Sequence, residues 1–110
     1  MSVNYIYLIA AILLEVTGTM LLPVSANFTR LWPTLTLAVC YVAAFWLLTF
    51  AIRTIPLSIV YATWSGLGVF TIAILGTLIF KQSLGWPAIL GLFLIVTGVI
   101  LVNLYSPSHP

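Results

Sequence analysis

Four long apolar stretches, separated by short segments that hold proline, serine, asparagine or a basic residue, constrain the fold of this chain most strongly. They run over about residues 4–22, 33–52, 58–80 and 87–105, and each is near the roughly 20 residues that an α-helix needs to cross a bilayer. Hydrophobic residues make up 64% of the chain and charged residues 4%, which leaves too little charge for the surface of a soluble domain. The sequence therefore predicts an all-α membrane protein, a single domain over 1–110 with four transmembrane helices.

Glu15 interrupts the first apolar stretch near its middle, and it is the only acidic side chain among the 110 residues. An ionisable group at that depth costs about 2.5–3.5 kcal/mol on insertion scales, so such groups face a protein interior or a water-filled cavity and usually serve a function. None of the four stretches contains Lys or Arg. The counter-ion of Glu15 must therefore be a proton or a bound cation, and the two would compete for one carboxylate.

Small residues share a face of the first predicted helix with this carboxylate. Ala11, Glu15 and Gly18 follow one another at spacings of four and three residues, which places them on one side of an α-helix. Because small side chains let a second helix approach closely, this face predicts a close helix contact that leaves room around the carboxylate.

Aromatic side chains of the second and third stretches are predicted to lie near the same depth. At 1.5 Å per residue, Glu15 lies about 16 Å from the membrane side that bears the N-terminus, Trp64 about 10 Å and Tyr41 about 18 Å. Tyr61 precedes Trp64 by three residues, and Phe45 follows Tyr41 by one helical turn. Since aromatic ring faces stabilise cations, these residues predict a site for a cation that carries an apolar or aromatic body.

The third and fourth stretches each contain two glycines that bear on helix bending and packing. Gly66 and Gly68 lie inside the third stretch, where glycine weakens a helix and permits a bend; tight packing without a hinge is the other interpretation. Gly91 and Gly98 lie seven residues apart in the fourth stretch. That spacing predicts an interface between subunits.

The loop charges bear on topology and on partners. Arg30 and Lys81 are predicted on one side of the membrane, and Arg53 with the N-terminal amine on the other. Because the positive charges on the two sides are balanced, the positive-inside rule favours neither orientation, and a dimer of two antiparallel subunits is possible. Three separated cations form no patch for nucleic acid. The single Cys40 excludes an internal disulfide, and no Cys/His spacing suggests a metal site. We expect neither metal nor cofactor, and we expect a protein that is not an enzyme.

Over nearly its whole length the chain resembles the small multidrug resistance family of bacterial proton-coupled exporters. The resemblance is carried by Ala11-x3-Glu15-x2-Gly18, Phe28-Thr29-Arg30-Leu31-Trp32-Pro33, Tyr41, Phe45-Trp46-Leu47-Leu48, Ile55-Pro56, Tyr61-Ala62-x-Trp64-Ser65-Gly66-x-Gly68 and Gly91-x6-Gly98. It implies an antiparallel homodimer of four-helix subunits in the bacterial inner (plasma) membrane, with a kink at the glycines of the third helix. The residues expected at the proton and substrate site are Glu15, Trp64, Tyr61, Tyr41, Gly18, Ala11, Ser65 and Phe45.

Gly18 bears on the substrate that the resemblance implies. The guanidinium-exporting branch of the family usually has tryptophan there, whereas the branch that exports quaternary ammonium and polyaromatic cations has glycine, as this chain does. Two positions depart from the family pattern: Pro23 stands where a lysine is usual, and Gly85 where an acidic residue is frequent.

Other functions stay open at this point. The chain is alternatively a guanidinium-type exporter, or one subunit of an exporter built from two unlike subunits. A reading from another class is a small accessory protein whose Glu15 pairs with a cationic helix of a partner. Translocation of lipid-linked sugars, performed by distant four-helix relatives, is disfavoured by the sequence Trp64-Ser65-Gly66.

Overall fold

Four α-helices make up the computed structural model, which describes residues 3–105. They are α1 (Val3–Leu21), α2 (Leu31–Ala51), α3 (Leu57–Ile79) and α4 (Trp86–Tyr105). All four are long and apolar enough to cross a membrane, and no strand occurs among the residues described. The predicted fold class, an all-α membrane protein with four transmembrane helices, is therefore confirmed.

Proline lies at the start of each helix after the first. α2 begins two residues before Pro33, and α4 begins one residue before Pro87. Both prolines therefore lie in the first helical turn, where a missing N–H leaves no intrahelical hydrogen bond unmade. Pro56 is the residue directly before α3. Each helix begins and ends within two residues of the corresponding apolar stretch.

The first loop turns the chain back so that α2 packs along α1. Ser25 is buried in this loop; its Oγ donates a hydrogen bond to the carbonyl oxygen of Leu22 (2.7 Å) and accepts one from the backbone N–H of Phe28 (3.2 Å). Ala26, Asn27 and Phe28 all have left-handed backbone angles, with φ of 49°, 59° and 65°. Hydrogen bonds to Ser25 thus hold a tight turn that contains no glycine.

The helices pack as an open row. α1 lies between α2 and α3, and α4 packs against α3. Leu94 and Leu101 of α4 are more than half exposed. The row therefore presents apolar faces that only lipid or another protein surface can cover.

The buried core lies along α1. Leu8, Ile12 and Val16 recur at every fourth position of this helix and pack with Val60 of α3 and Ala51 at the end of α2. Because residues four apart lie on one helix face, this stripe fixes the rotation of α1 about its axis.

Candidate functional site

Glu15 lies in the middle of α1 and lines a cavity of about 220 Å³ together with α3. The α3 residues that line it recur every three or four positions, so they lie along one face of that helix. They are Tyr61, Trp64, Ser65, Gly68, Val69 and Ile72. The rotation of α1 thus directs its one charged side chain at the aromatic part of α3.

Gly68 allows the carboxylate to approach the backbone of α3. A Cβ atom at this position would lie 3.1 Å from Oε1 of Glu15, which is closer than an ordinary van der Waals contact. One oxygen of the carboxylate therefore lies over a position that has no side chain.

The other oxygen of Glu15 belongs to a hydrogen-bonded group that we call the carboxylate trio, formed by Glu15, Thr19 and Tyr41. The hydroxyl of Thr19 donates to Oε2 of Glu15 at 2.6 Å, and its oxygen lies 2.7 Å from the hydroxyl of Tyr41. Tyr41 lies on α2, so the trio joins α1 to α2 beside the cavity. The sequence predictions included Glu15 and Tyr41 but missed Thr19. The signal that was available is its spacing of four residues from Glu15 on the same helix face.

Trp64 lies between two other rings. Its ring centroid is 5.6 Å from that of Tyr61 and 5.7 Å from that of Phe45 on α2, the latter in an edge-to-face arrangement. Such aromatic pairs contribute about 0.5–1.5 kcal/mol beyond the area they bury. The indole Nε1 is buried and has no hydrogen-bond partner in the part of the chain that the structure describes. Trp64 is thus fixed by its neighbours and keeps a free donor.

The predicted site residues differ in how they stand to the cavity: some line it, some contact its lining residues, and Gly18 and Ala11 do neither. Glu15, Tyr61, Trp64 and Ser65 line the cavity. Tyr41 and Phe45 lie outside its lining and reach it through Thr19 and Trp64.

Gly18 and Ala11 are packing positions in this structure. A Cβ atom at Gly18 would lie 3.0 Å from Cε1 of Tyr41, so the small face of α1 makes its close contact with α2. Ala11 is completely buried. Neither residue lines the cavity, and their part in substrate binding stays a prediction.

The two glycines of α3 have different neighbours. A Cβ atom at Gly66 would collide with Val99 of α4, whereas Gly68 faces Glu15. Gly66 therefore permits close packing of α3 on α4. The α3 helix continues without interruption through both glycines, and the hinge stays a prediction.

The glycines of α4 face open space. A Cβ atom at Gly91 or Gly98 would meet no atom of the described residues within 4 Å. The face of α4 that carries them is therefore free for another surface, and its role between subunits stays a prediction.

The chemistry available at this site is narrow. The polar and aromatic groups that line the cavity are the carboxylate of Glu15, the side chains of Tyr61 and Ser65, and the ring of Trp64. The hydroxyl groups of Thr19 and Tyr41 lie behind the carboxylate, outside the lining. The described residues contain no cluster of His, Cys, Asp and Glu that could hold a metal ion. The arrangement can bind a proton, or an organic cation whose charge meets the carboxylate and whose body meets the rings.

The fold and the site together define a small multi-pass membrane protein with one intramembrane carboxylate that opens on an aromatic cavity. Comparison with known proteins narrows this class. The family model described as Small Multidrug Resistance protein matches residues 3–95. The chain is 50% identical over 106 residues to the multidrug transporter EmrE of Escherichia coli, which covers 96% of each chain. It is 40% identical to the quaternary ammonium compound-resistance protein QacG of a Staphylococcus species, over 96% of this chain and 99% of the relative.

The chain therefore belongs to the small multidrug resistance family. The resemblance seen in the sequence is confirmed, as is the placement in the bacterial inner (plasma) membrane as a multi-pass protein. The relatives are named as transporters and resistance proteins, which agrees with the expectation that the chain is not an enzyme.

Proposed function

We propose that this protein is a proton-coupled antiporter that exports hydrophobic and aromatic cations such as quaternary ammonium compounds, and that proton and substrate compete for Glu15. The observation that carries the proposal is the position of Glu15, the only acidic side chain, in a cavity that Tyr61 and Trp64 also line. Among the relatives, one is named a multidrug transporter and another a quaternary ammonium compound-resistance protein, which supports this class of substrate.

Competition follows from the composition of the site. A bound cation neutralises the carboxylate, and the aromatic rings add cation–π attraction, worth about 2 kcal/mol or more in a desolvated site. A bound proton neutralises the same carboxylate and removes the charge that attracts the cation. No Lys or Arg in the four helices offers another counter-ion to Glu15. Each occupant therefore displaces the other, as antiport requires.

The cavity of a single chain is smaller than a site for a drug-sized ligand, which favours a site formed by two subunits. Its volume in one chain is about 220 Å³, whereas sites for drug-sized ligands measure about 300–1,000 Å³. The open row of helices also leaves large apolar faces uncovered. An antiparallel homodimer, in which two copies enclose one cavity and their α4 helices meet at Gly91 and Gly98, would complete both the site and the packing.

Gly18 supports aromatic cations over guanidinium as the substrate. A Cβ atom there would already lie 3.0 Å from the ring of Tyr41. The bulky residue that is usual in the guanidinium-exporting branch would therefore displace Tyr41 and disrupt the carboxylate trio. The packing of α1 on α2 in this chain suits glycine.

Purified protein in liposomes with an acidic lumen tests the function. We expect uptake of tetraphenylphosphonium and of a benzyl-substituted quaternary ammonium ion, in exchange for protons, and little uptake of guanidinium. Preferred uptake of guanidinium would support the other branch of the family. Failure to take up any cation would refute the homodimeric antiporter and leave the paired-subunit and accessory-protein readings.

The antiparallel dimer is tested through membrane orientation. The numbers of positive charges on the two sides are nearly equal, so we expect both orientations in one membrane. A lysine added near residue 108 should favour the cytoplasm for that end, and one added near residue 85 should do the reverse. Each variant alone should lose activity and co-expression should restore it, as measured by tag accessibility and growth on a toxic cation. Full activity from a variant held in one orientation would rule out the antiparallel homodimer.

A further inference from the structure

Phe50 lies near the end of α2 and contacts three other side chains, with which it forms what we call the Phe50 cluster (Tyr7, Trp46, Phe50 and Arg53). Its ring stacks on that of Tyr7 of α1, with the centroids 5.1 Å apart, and the ring of Trp46 meets it edge-on at 5.0 Å. The guanidinium carbon of Arg53 lies 5.0 Å from the centroid of Phe50. The cluster therefore combines one cation with three aromatic rings from two helices.

The turn after α2 fixes the position of Arg53. Its backbone N–H donates to the carbonyl oxygen of Phe50 at 3.3 Å. Two residues later Ile55 is buried, and its N–H donates to the carbonyl oxygen of Ala51 at 3.2 Å. Arg53 itself is exposed. The backbone and the ring of Phe50 thus hold the arginine in place, while its side chain stays accessible to a ligand.

No side chain of this chain supplies an anion to Arg53. Glu15 is the only acidic side chain, and it lies about 18 Å along α1 from the first residue of that helix. Arg53 follows the end of α2, and the stacking of Phe50 on Tyr7 places that end beside the start of α1. The two charges therefore lie at different depths, and a side-chain counter-ion for Arg53 is absent.

The Phe50 cluster lies where the hydrocarbon of a membrane meets the lipid headgroups. Arg53 is just beyond the end of one membrane-spanning helix, and Tyr7 is near the start of another. Tyrosine and tryptophan are enriched at this boundary. The anions present there are lipid phosphates, and the planar guanidinium of arginine matches phosphate oxygens with two parallel hydrogen bonds.

A stripe of exposed side chains runs along α2 from the cluster toward the middle of the membrane. Its members recur at spacings of three or four residues and so share one helix face; they are Val39, Val42, Trp46 and Thr49. The hydroxyl of Thr49 is bonded to the carbonyl oxygen of Trp46 and needs no other partner. From Val39 to Thr49 the stripe measures about 15 Å, which is half of the roughly 30 Å hydrocarbon core.

We propose that the Phe50 cluster and this stripe form a binding site for an anionic phospholipid, with the lipid phosphate at Arg53 and one acyl chain along the stripe. The length of the stripe matches one leaflet, and Arg53 lies at its headgroup end. The ring of Phe50 orders the guanidinium before the phosphate arrives, which lowers the entropy lost on binding. No residue of the site lines the cavity at Glu15, so the proposal does not depend on the proposed transport.

The test follows Trp46 directly by ¹⁹F NMR. The full chain is labelled with 5-fluorotryptophan and placed in phosphatidylcholine bicelles, and a Trp46→Phe variant identifies the resonance of Trp46. Phosphatidylglycerol then replaces phosphatidylcholine at constant total lipid. We expect a saturable shift of the Trp46 resonance. In Arg53→Gln the half-saturating fraction of phosphatidylglycerol should rise about fivefold, the equivalent of about 1 kcal/mol for one basic residue near an anionic membrane surface.

Three further variants separate charge, geometry and location. Arg53→Lys keeps the charge but loses the paired hydrogen bonds, and Phe50→Leu keeps Arg53 but removes the ring beneath it. Each should raise the half-saturating fraction by less than Arg53→Gln does. Lys81→Gln is the matched control, since it removes one positive charge from an exposed loop position that lies over no aromatic ring among the described residues. It should leave the titration of Trp46 unchanged.

Two more measurements distinguish a lipid from other anions. Glycerol phosphate carries the same charged group without acyl chains, and in phosphatidylcholine bicelles it should not shift the Trp46 resonance. An equal shift would overturn the lipid site and show a site for small anions. Raising the salt concentration from about 50 mM to about 500 mM should weaken the response of the wild type to phosphatidylglycerol, which tests the role of charge even if Arg53→Gln fails to fold.

The proposal is overturned by any of three results. They are the absence of a saturable shift at Trp46, a half-saturating fraction that is the same in Arg53→Gln and wild type, and a wild-type titration that does not respond to salt. The first of these would leave the exposed face of α2 as a surface for another protein.

Discussion

Among residues 3–105, two hydrogen-bonded groups of three side chains join the helices, and they differ in how many of their polar atoms have a hydrogen-bond partner. The amide trio consists of Tyr5, Asn103 and Thr63. The hydroxyl of Tyr5 donates to Oδ1 of Asn103 at 2.9 Å, and Nδ2 of Asn103 donates to Thr63 at 2.8 Å and to the carbonyl oxygen of Val99 at 2.9 Å. It ties α1, α3 and α4 together near the ends of α1 and α4.

The carboxylate trio leaves part of its charged group open. Glu15 uses Oε2 within the trio, while Oε1 lies over Gly68 at the cavity. The amide trio is uncharged, and both donor hydrogens of its Asn103 are bonded. A neutral group with its donors bonded stabilises the packing of helices, whereas an ionisable group that is only half bonded can take up a ligand. The predictions below test this division between structure and function.

The largest effect is expected for Glu15→Gln. Glutamine keeps the size and can still accept the hydrogen bond from Thr19 through its carbonyl oxygen, but it cannot exchange a proton. Proton-driven uptake of tetraphenylphosphonium should fall to background in liposomes, while thermal unfolding stays close to wild type. Uptake against a gradient by this variant would show that the carboxylate trio is not the functional one.

Trp64→Leu should weaken binding of an aromatic quaternary ammonium ion by about 30-fold, the equivalent of about 2 kcal/mol of lost cation–π stabilisation. Folding should change far less. Trp86→Leu is the matched control, because Trp86 is exposed at the start of α4 and the chemical change is the same. Calorimetric titration measures both variants, and equal affinities would place Trp64 among the packing residues.

Substitution of the two glycines of α3 should separate stability from function within one helix. Gly66→Ala brings a methyl group into collision with Val99, and such overpacking costs about 1–3 kcal/mol of stability. Gly68→Ala places the methyl group 3.1 Å from Oε1 of Glu15, at the end of a flexible side chain that can move. We therefore expect a lower unfolding temperature for Gly66→Ala and a lower cation affinity for Gly68→Ala.

The reverse pattern would contradict this assignment. A Gly68→Ala variant that unfolds early but binds cations normally would place Gly68 in the packing of α3, and normal stability of Gly66→Ala would show that α4 moves aside without cost.

The smallest effect is expected for Asn103→Leu in the amide trio. The change removes three hydrogen bonds and leaves the hydroxyl groups of Tyr5 and Thr63 without these partners. Interhelical hydrogen bonds in membranes contribute about 0.6 kcal/mol on average and about 1.7 at most, so a loss of about 1 kcal/mol is expected. Denaturation in mixed micelles measures it. The pH dependence of cation uptake should stay that of the wild type, and a shifted profile would show that the two trios are coupled.

The sequence by itself determined the number and position of the helices and the presence of one carboxylate inside a membrane-spanning helix. Apolar runs of membrane-spanning length, with Pro23, Pro33, Pro56 and Pro87 at their boundaries, leave no other regular structure that satisfies the backbone in a bilayer. Glu15 could be singled out from the sequence alone, because it is an acidic side chain within an apolar stretch and no Lys or Arg lies in any of the four stretches to form an ion pair with it. Tyr61 and Trp64 followed from depth and spacing, and the structure places both at the cavity.

Only the tertiary structure decided which residues meet. The helices are apolar on nearly every face, so their sequences contain little information about which side turns inward. Close contact of α1 with α2 at Gly18 brings Tyr41 to Thr19, and close contact of α3 with α4 assigns Gly66 to packing and Gly68 to the carboxylate. Spacing along one helix predicts a shared face, but the partner across that face depends on how two helices are rotated and staggered, and no local pattern specifies this.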